Sequence, residues 1–225
     1  MDELRVEYTK EHWRLLRRLR AEAAEMMQPL HEAHIEAVVY GSIARGDVDE
    51  SSDADVWIPS PPSPTFVQAI LERSGVHISH REIIQATPSY AAKAYLYTEP
   101  NRGYSLPLVK LRASEAEFYR YAGSIGYREL EAEARVPGVD KRLMLIEPTD
   151  TGHVESSIQG REGYVAGLLG VETRIVQERV RTLERREKVG RTGVYIKRVL
   201  AEDEDFGAVF RQLAASKPAL RRRTR

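Results

Sequence analysis

Asp53 and Asp55 are the residues in this chain whose type and spacing most directly imply chemistry. Flanked by Ala54, Val56 and Ile58, they read as the start of a β-strand. Side chains alternate along a strand, so the two carboxylates point one way and the apolar residues the other. Paired carboxylates repel unless a cation lies between them, and so small a set of hard oxygen ligands suits Mg²⁺ completed by water and substrate phosphates. Upstream, Val38-Val39-Tyr40 forms a short apolar strand running into Gly41-Ser42, with ten residues intervening before Asp53. Glycine there permits close backbone approach, and Ser42 offers an N–H and a hydroxyl to a phosphate oxygen. Arg45, between the two halves, is placed to reach a phosphate or to pair with Asp47 or Asp49.

Gly-Ser, ten intervening residues and then Asp-x-Asp between apolar flanks resembles the signature of the DNA-polymerase-β-like nucleotidyltransferase superfamily. Its compact archaeal and bacterial minimal members are nearest in style. The resemblance rests on residues 38–58, about a tenth of the chain. It implies transfer of a nucleoside monophosphate from a nucleoside triphosphate, ATP among them, to an acceptor hydroxyl, with pyrophosphate leaving. It also implies two Mg²⁺ ions, with Mn²⁺ as the alternative, held by Asp53 and Asp55, and a triphosphate held by Gly41 and Ser42. A third carboxylate on a later strand is expected. Glu82 is the first candidate, since the strand read over residues 76–84 carries no other acid, and Glu99 is the second. A scaffold that binds nucleotide or RNA as a regulator, with weak catalysis, is the alternative function. An antitoxin-like partner protein is a third.

The elements that must position these residues follow from periodicity. Apolar residues from Leu4 to Leu30 recur at three- and four-residue spacing, giving a helix over residues 2–34 that Pro29 kinks or ends. After residues 59–64, rich in proline, a short helix through Phe66 and Leu71 ends near Gly75, and the strand over 76–84 follows. Thr87-Pro88 reads as the start of a helix carrying Tyr90, Ala91, Ala94 and Tyr95. Residues 106–111 read as a strand, and Ser114-Glu115-Ala116-Glu117 opens a helix to Tyr121. Gly123–Gly126 is the expected boundary. Beyond it come helices over 128–135, 156–169, 173–188 and 206–214, and strands over 142–147 and 193–200. The residues from Glu147 to Glu155, which include His153, read as a loop. The expectation is an α/β (α+β) protein: a mixed nucleotidyltransferase-like sheet with flanking helices over 1–122, and a smaller α/β domain over 123–225.

Composition narrows the partners. Lys+Arg and Asp+Glu number 34 each, so net charge gives no argument for nucleic acid. RNA enters only as an acceptor suited to a basic face formed by the arginines of 179–188 and the tail of 217–225, five positive charges in nine residues. A solvated, partly disordered tail is the simpler reading. The absence of cysteine excludes disulfides and thiolate metal sites and points to the cytoplasm. No run is apolar enough to cross a membrane, and the first residues lack a signal-peptide layout.

Overall fold

The computed structural model describes residues 3–99, 102–190 and 193–223. In chain order the elements are β1 (Leu4–Glu7), α1 (Lys10–Glu32), β2 (Val38–Tyr40), α2 (Ser42–Arg45), β3 (Ala54–Trp57) and α3 (Pro64–Arg73). Then come β4 (His80–Gln85), β5 (Lys93–Glu99), β6 (Arg102–Pro107), α4 (Ala113–Tyr121), β7 (Ser124–Gly126), α5 (Tyr127–Glu131) and β8 (Gly138–Val139). The last are β9 (Met144–Thr149), β10 (Gly152–Ser157), α6 (Glu162–Leu169), α7 (Thr173–Val189), β11 (Ile196–Val199), α8 (Phe206–Ser216) and α9 (Pro218–Arg223). The fold is α+β.

Contacts divide the chain into two units, each discontinuous in sequence: Met1–Glu25, Val38–Ala54 and Ala113–Thr192 form the first, Met26–Ala37, Asp55–Arg112 and Gly193–Arg225 the second. The first unit contains a four-stranded antiparallel sheet, β1-β10-β9-β8, and the antiparallel pair β2–β7. Its core gathers Leu143, Leu145 and Ile158 with Val165 and Leu169 of α6 and Ile175, Val176 and Val180 of α7. In the second unit the strand order is β11-β4-β5-β6-β3. Val56, Ile58, Ile83, Ala94, Leu96 and Leu106 are fully buried there. Arg81 anchors β4 to the helices: its guanidinium donates to Gln68 of α3 and to the carbonyls of Ala201, Glu202 and Glu204, and lies 6.0 Å from the Phe206 ring.

Three expectations are corrected. The first turn of the helix read from residue 2 is instead β1, paired with β10 from Leu4↔Glu155 to Glu7↔Gly152, and α1 continues through Pro29 to Glu32. Residues 93–99 form β5, not a helix: Lys93-Ala94-Tyr95-Leu96-Tyr97 alternates with period two, and pairing on both sides overrides the Thr87-Pro88 start signal. The segment around His153 is the hairpin β9–β10, not a loop. The tail forms α9 as far as Arg223, with Leu220 fully buried; residues 224–225 and the Arg191-Thr192 pair lie outside the described residues.

Gly152 of β10 is packed directly against β1, for a Cβ at that position would stand 1.9 Å from the Val6 carbonyl oxygen. Backbone cannot yield as a side-chain tip does. Gly152→Ala is expected to lower stability by about 3 kcal/mol, the upper end of overpacking costs. Gly163→Ala, in α6 with nothing within 4 Å, should be neutral or stabilising. Urea unfolding midpoints of the two variants check this.

Candidate active site

Gly41 ends β2 and precedes α2 with φ 81° and ψ −143°, a conformation only glycine adopts easily. A Cβ would meet nothing within 4 Å, so the requirement is backbone shape rather than space. Gly41 N–H donates to the Gly123 carbonyl, and the N–H groups of Ala44 and Arg45 return to the Gly41 carbonyl. Ser42 therefore opens a single helical turn. Its hydroxyl donates to Ser52 Oγ at 3.1 Å, and Ser52 Oγ in turn accepts from Asp49 N–H at 2.9 Å. Asp49 also accepts from the Ser51 N–H and hydroxyl at 2.8 and 2.7 Å. These bonds hold its carboxyl below the usual carboxylate range, the Ser51 hydroxyl contributing most. The connection thus folds back on the Gly-Ser turn one residue before Asp53. Within the first unit, this loop sets Ser52 against Ser42.

Asp53 is exposed and Asp55 half-buried, two positions apart on one extended segment, while Ala54 and Val56 are at most 2% exposed. Among the described residues no group of three or more His, Asp or Glu side chains is arranged to hold a metal. The donor set still fits a hard divalent cation, for two adjacent carboxylates supply as many protein ligands as Mg²⁺ commonly takes.

Arg45 is 5% exposed and turned inward. Its Nε and Nη2 donate to Asp47 at 2.9 and 2.8 Å, and Nη1 donates to the Ala122 carbonyl at 2.6 Å. Its guanidinium is engaged in holding the motif's loop, so the local ion pair is the role its geometry supports.

Glu82 sits on β4 in the second unit, its side chain 5% exposed, with Lys197 Nζ at 3.1 Å and His80 Nε2 at 3.6 Å. Strands β5 and β6 separate β4 from β3, so three strand spacings, about 14 Å, lie between Glu82 and the Asp55 strand. That span prevents the two from sharing one ion. β6, which adjoins β3 through the Ile58 N–H to Ser105 carbonyl bond, carries no acid in Arg102–Pro107. Glu99 is exposed and pairs with Arg102 at 3.4 Å.

Sequence reading missed the company that Glu82 keeps. Register places His80 opposite Tyr97, and Glu82 opposite Tyr95, which itself faces Ser105. Lys93 Nζ lies 5.0 Å from the Trp57 ring, so the odd-numbered residues of β3 and β5 share a face. The alternation of Tyr95 and Tyr97 was the available signal, hidden by the helical assignment. Both hydroxyls are raised in pKa. Burial is the main cause, and the negative charges of Asp55 and Glu82 add to it.

The cleft of about 580 Å³ in the first unit lies elsewhere, lined by Trp13, Arg17, Arg20, Glu133 and Arg135 among others. Arg20 is bonded there to the carbonyls of Ile43 and Ala134, and Arg135 to those of Thr149 and Gly152.

Two outcomes follow. Removing Asp47 would leave Arg45 buried without its counter-charge, so Asp47→Ala should cost about 3–5 kcal/mol by urea unfolding, whereas Asp49→Ala, on the surface, should cost within about 0.5 kcal/mol. Tyr97 is pushed up to about 12. The neutral phenol is therefore favoured by folding: its contribution is intact below pH about 10 and is lost as pH rises through about 12. A tyrosinate absorbance titration should show a late component that Tyr97→Phe removes.

Comparison with known families places residues 16–96 within the nucleotidyltransferase domain family. The matched segment runs from within α1 to within β5 and contains both halves of the Gly-Ser and Asp-x-Asp motif. No curated protein and no solved structure matches the chain. Residues 16–96 therefore match a nucleotidyltransferase domain, consistent with the DNA-polymerase-β-like superfamily, and that match supports an enzyme of nucleotidyl transfer.

Proposed function

We propose that the protein moves a nucleoside monophosphate from a nucleoside triphosphate to a hydroxyl of an acceptor, with Asp53 and Asp55 holding the divalent cations and Gly41-Ser42 the triphosphate. The observation that carries this reading is the built turn: a glycine-only conformation at Gly41 and a Ser42 hydroxyl fixed by Ser52, inside the matched domain. The attacking oxygen bonds to the α-phosphorus, the bond to the pyrophosphate oxygen breaks, and the hydroxyl proton passes to water. Bound divalent cations would supply charge neutralisation for the attacking and leaving oxygens.

The chain's own residues do the positioning. The turn at Gly41 lets backbone approach the phosphates, and Ser42 contributes a hydroxyl whose direction Ser52 sets. Alternation on the Asp53–Asp55 segment presents both carboxylates on one side. Such catalysis rests on orientation and charge rather than on covalent chemistry by the protein. Glu82 has no part in the metal site in this proposal, because Lys197 and His80 surround it and the distance to the Asp55 strand is too great.

The test is pyrophosphate release with Mg²⁺ or Mn²⁺ and each labelled triphosphate, over RNA, DNA, protein and small-hydroxyl acceptors. Asp53→Asn and Asp55→Asn should each abolish release. Ser42→Ala should lower the rate about 10–150-fold, the worth of a hydrogen bond to a charged group. Triphosphate binding without turnover on any acceptor would favour a nucleotide- or RNA-binding regulator instead.

A further inference from the structure

The cleft of about 580 Å³ in the first unit opens along α1 and has Arg20 and Arg135 in its wall. Its volume lies within the range of small-molecule sites. Arg20 is 7% exposed, and its two Nη groups donate to the carbonyls of Ile43 and Ala134. Arg135 is half-buried, and its Nη groups donate in the same way to Gly152 and Thr149. These acceptors are neutral, so they place the guanidinium groups without cancelling their charge. A guanidinium carries five N–H donors, so each keeps donors that no described residue receives. Among the described residues, no carboxylate lies within ion-pair distance of Arg20 or Arg135. The two cations also oppose each other: Arg20 is lowered in pKa by burial first and by the Arg135 charge next, with Glu133 acting the other way.

We propose that this cleft is a second ligand site, separate from the Gly41-Ser42 turn, and that it takes the phosphate group of a small molecule. The site stands independently of the transfer reading above. An anion between Arg20 and Arg135 relieves their repulsion and receives their remaining N–H groups. Arg17, one turn before Arg20 on α1, is exposed on the same cleft and makes no hydrogen bond or ion pair among the described residues. A single guanidinium fork already satisfies a carboxylate, whereas a phosphate dianion has oxygens and charge enough for three. Glu131, Glu133 and Asp150 also line the cleft, but all three are exposed. Water screens exposed charges far more than buried ones, so the interior is positive while the rim is mixed. Beside the arginines, Leu16 and Leu130 are buried and Ala21 and Ala24 present only methyl groups, which leaves room for the body that carries the phosphate. Through the Ile43 carbonyl, Arg20 also joins this cleft to the helical turn that Ser42 opens.

The experiment is isothermal titration calorimetry of the full chain with inorganic phosphate, phenyl phosphate and phenol, without divalent cations. Both phosphates should saturate with Kd of about 1 mM or tighter, and phenol should not bind. Tighter binding of phenyl phosphate than of inorganic phosphate assigns an organic phosphate, and equal binding assigns the free oxyanion. Arg17→Gln should weaken binding about tenfold, the worth of a hydrogen bond to a charged group. Glu133→Asn removes a competing charge and should tighten binding about two- to fivefold, an effect that high salt erases. Asparagine suits that position because Glu133 has φ 55°. Arg14→Gln, on the same helix but outside the cleft, should stay within about twofold of the parent, and so should Ser42→Ala. No saturation by either phosphate below about 10 mM, phenol binding equal to that of phenyl phosphate, or an unchanged Kd in Arg17→Gln would each overturn the proposal. So would weaker binding in Glu133→Asn, or loss of binding in Ser42→Ala, which would move the anion to the turn. Circular dichroism confirms that each variant is folded.

Discussion

Alternation along the segment that begins at Asp53 is the constraint on which the rest depends. Val56 and Ile58 are completely buried and Ala54 nearly so. A one-residue slip would carry those apolar side chains to the opposite face and bury Asp53 and Asp55 in their place. Burying carboxylates without partners is far costlier than losing apolar contact, so the register that keeps the apolar side inward also keeps the acids outward. Apolar burial and carboxylate presentation are one requirement here.

What surrounds the Gly-Ser turn is held by polar contacts rather than by apolar packing alone. Arg45 ties the turn to Asp47 and to the Ala122 carbonyl, and Arg20 reaches the Ile43 carbonyl beside it. Arg20 is itself lowered in pKa by burial, which marks how far from water this arginine lies. A loop fixed by buried guanidinium groups keeps one shape, because any other shape strands the charge. That rigidity serves positioning, which is nearly all that phosphoryl-transfer chemistry asks of the protein.

The motif of residues 38–58 was legible because its information is local: a glycine at a turn, acids in alternation, apolar flanks. Helices with strong periodicity or clear caps, such as α7 and α8, were legible for the same reason. What was hidden depends on partners distant in sequence. Leu4–Glu7 becomes a strand because β10 lies beside it, and Lys93–Glu99 becomes one because β4 and β6 flank it. The local proline signal at residue 88 pointed the other way. The position of Glu82 illustrates the limit best: its face followed from alternation, but its distance from Asp55 is set by strand order, which no single strand encodes.

That strand order also decides what surrounds Glu82. The strand beside β3 presents Gly103 and Ser105 on the Asp55 face, small residues with no acid, while the carboxylate of Glu82 stands two strands farther on and is paired with Lys197. A carboxylate so placed is too far from the Asp55 strand to share one cation with it. The rings of Tyr95 and Tyr97 occupy that interval, with His80 stacked on Tyr97, and both tyrosine hydroxyls are raised in pKa by burial first and by the two acids after it. The charge of Glu82 is thereby met at its own end of the sheet, by Lys197 and His80, and its burial does not depend on Asp55.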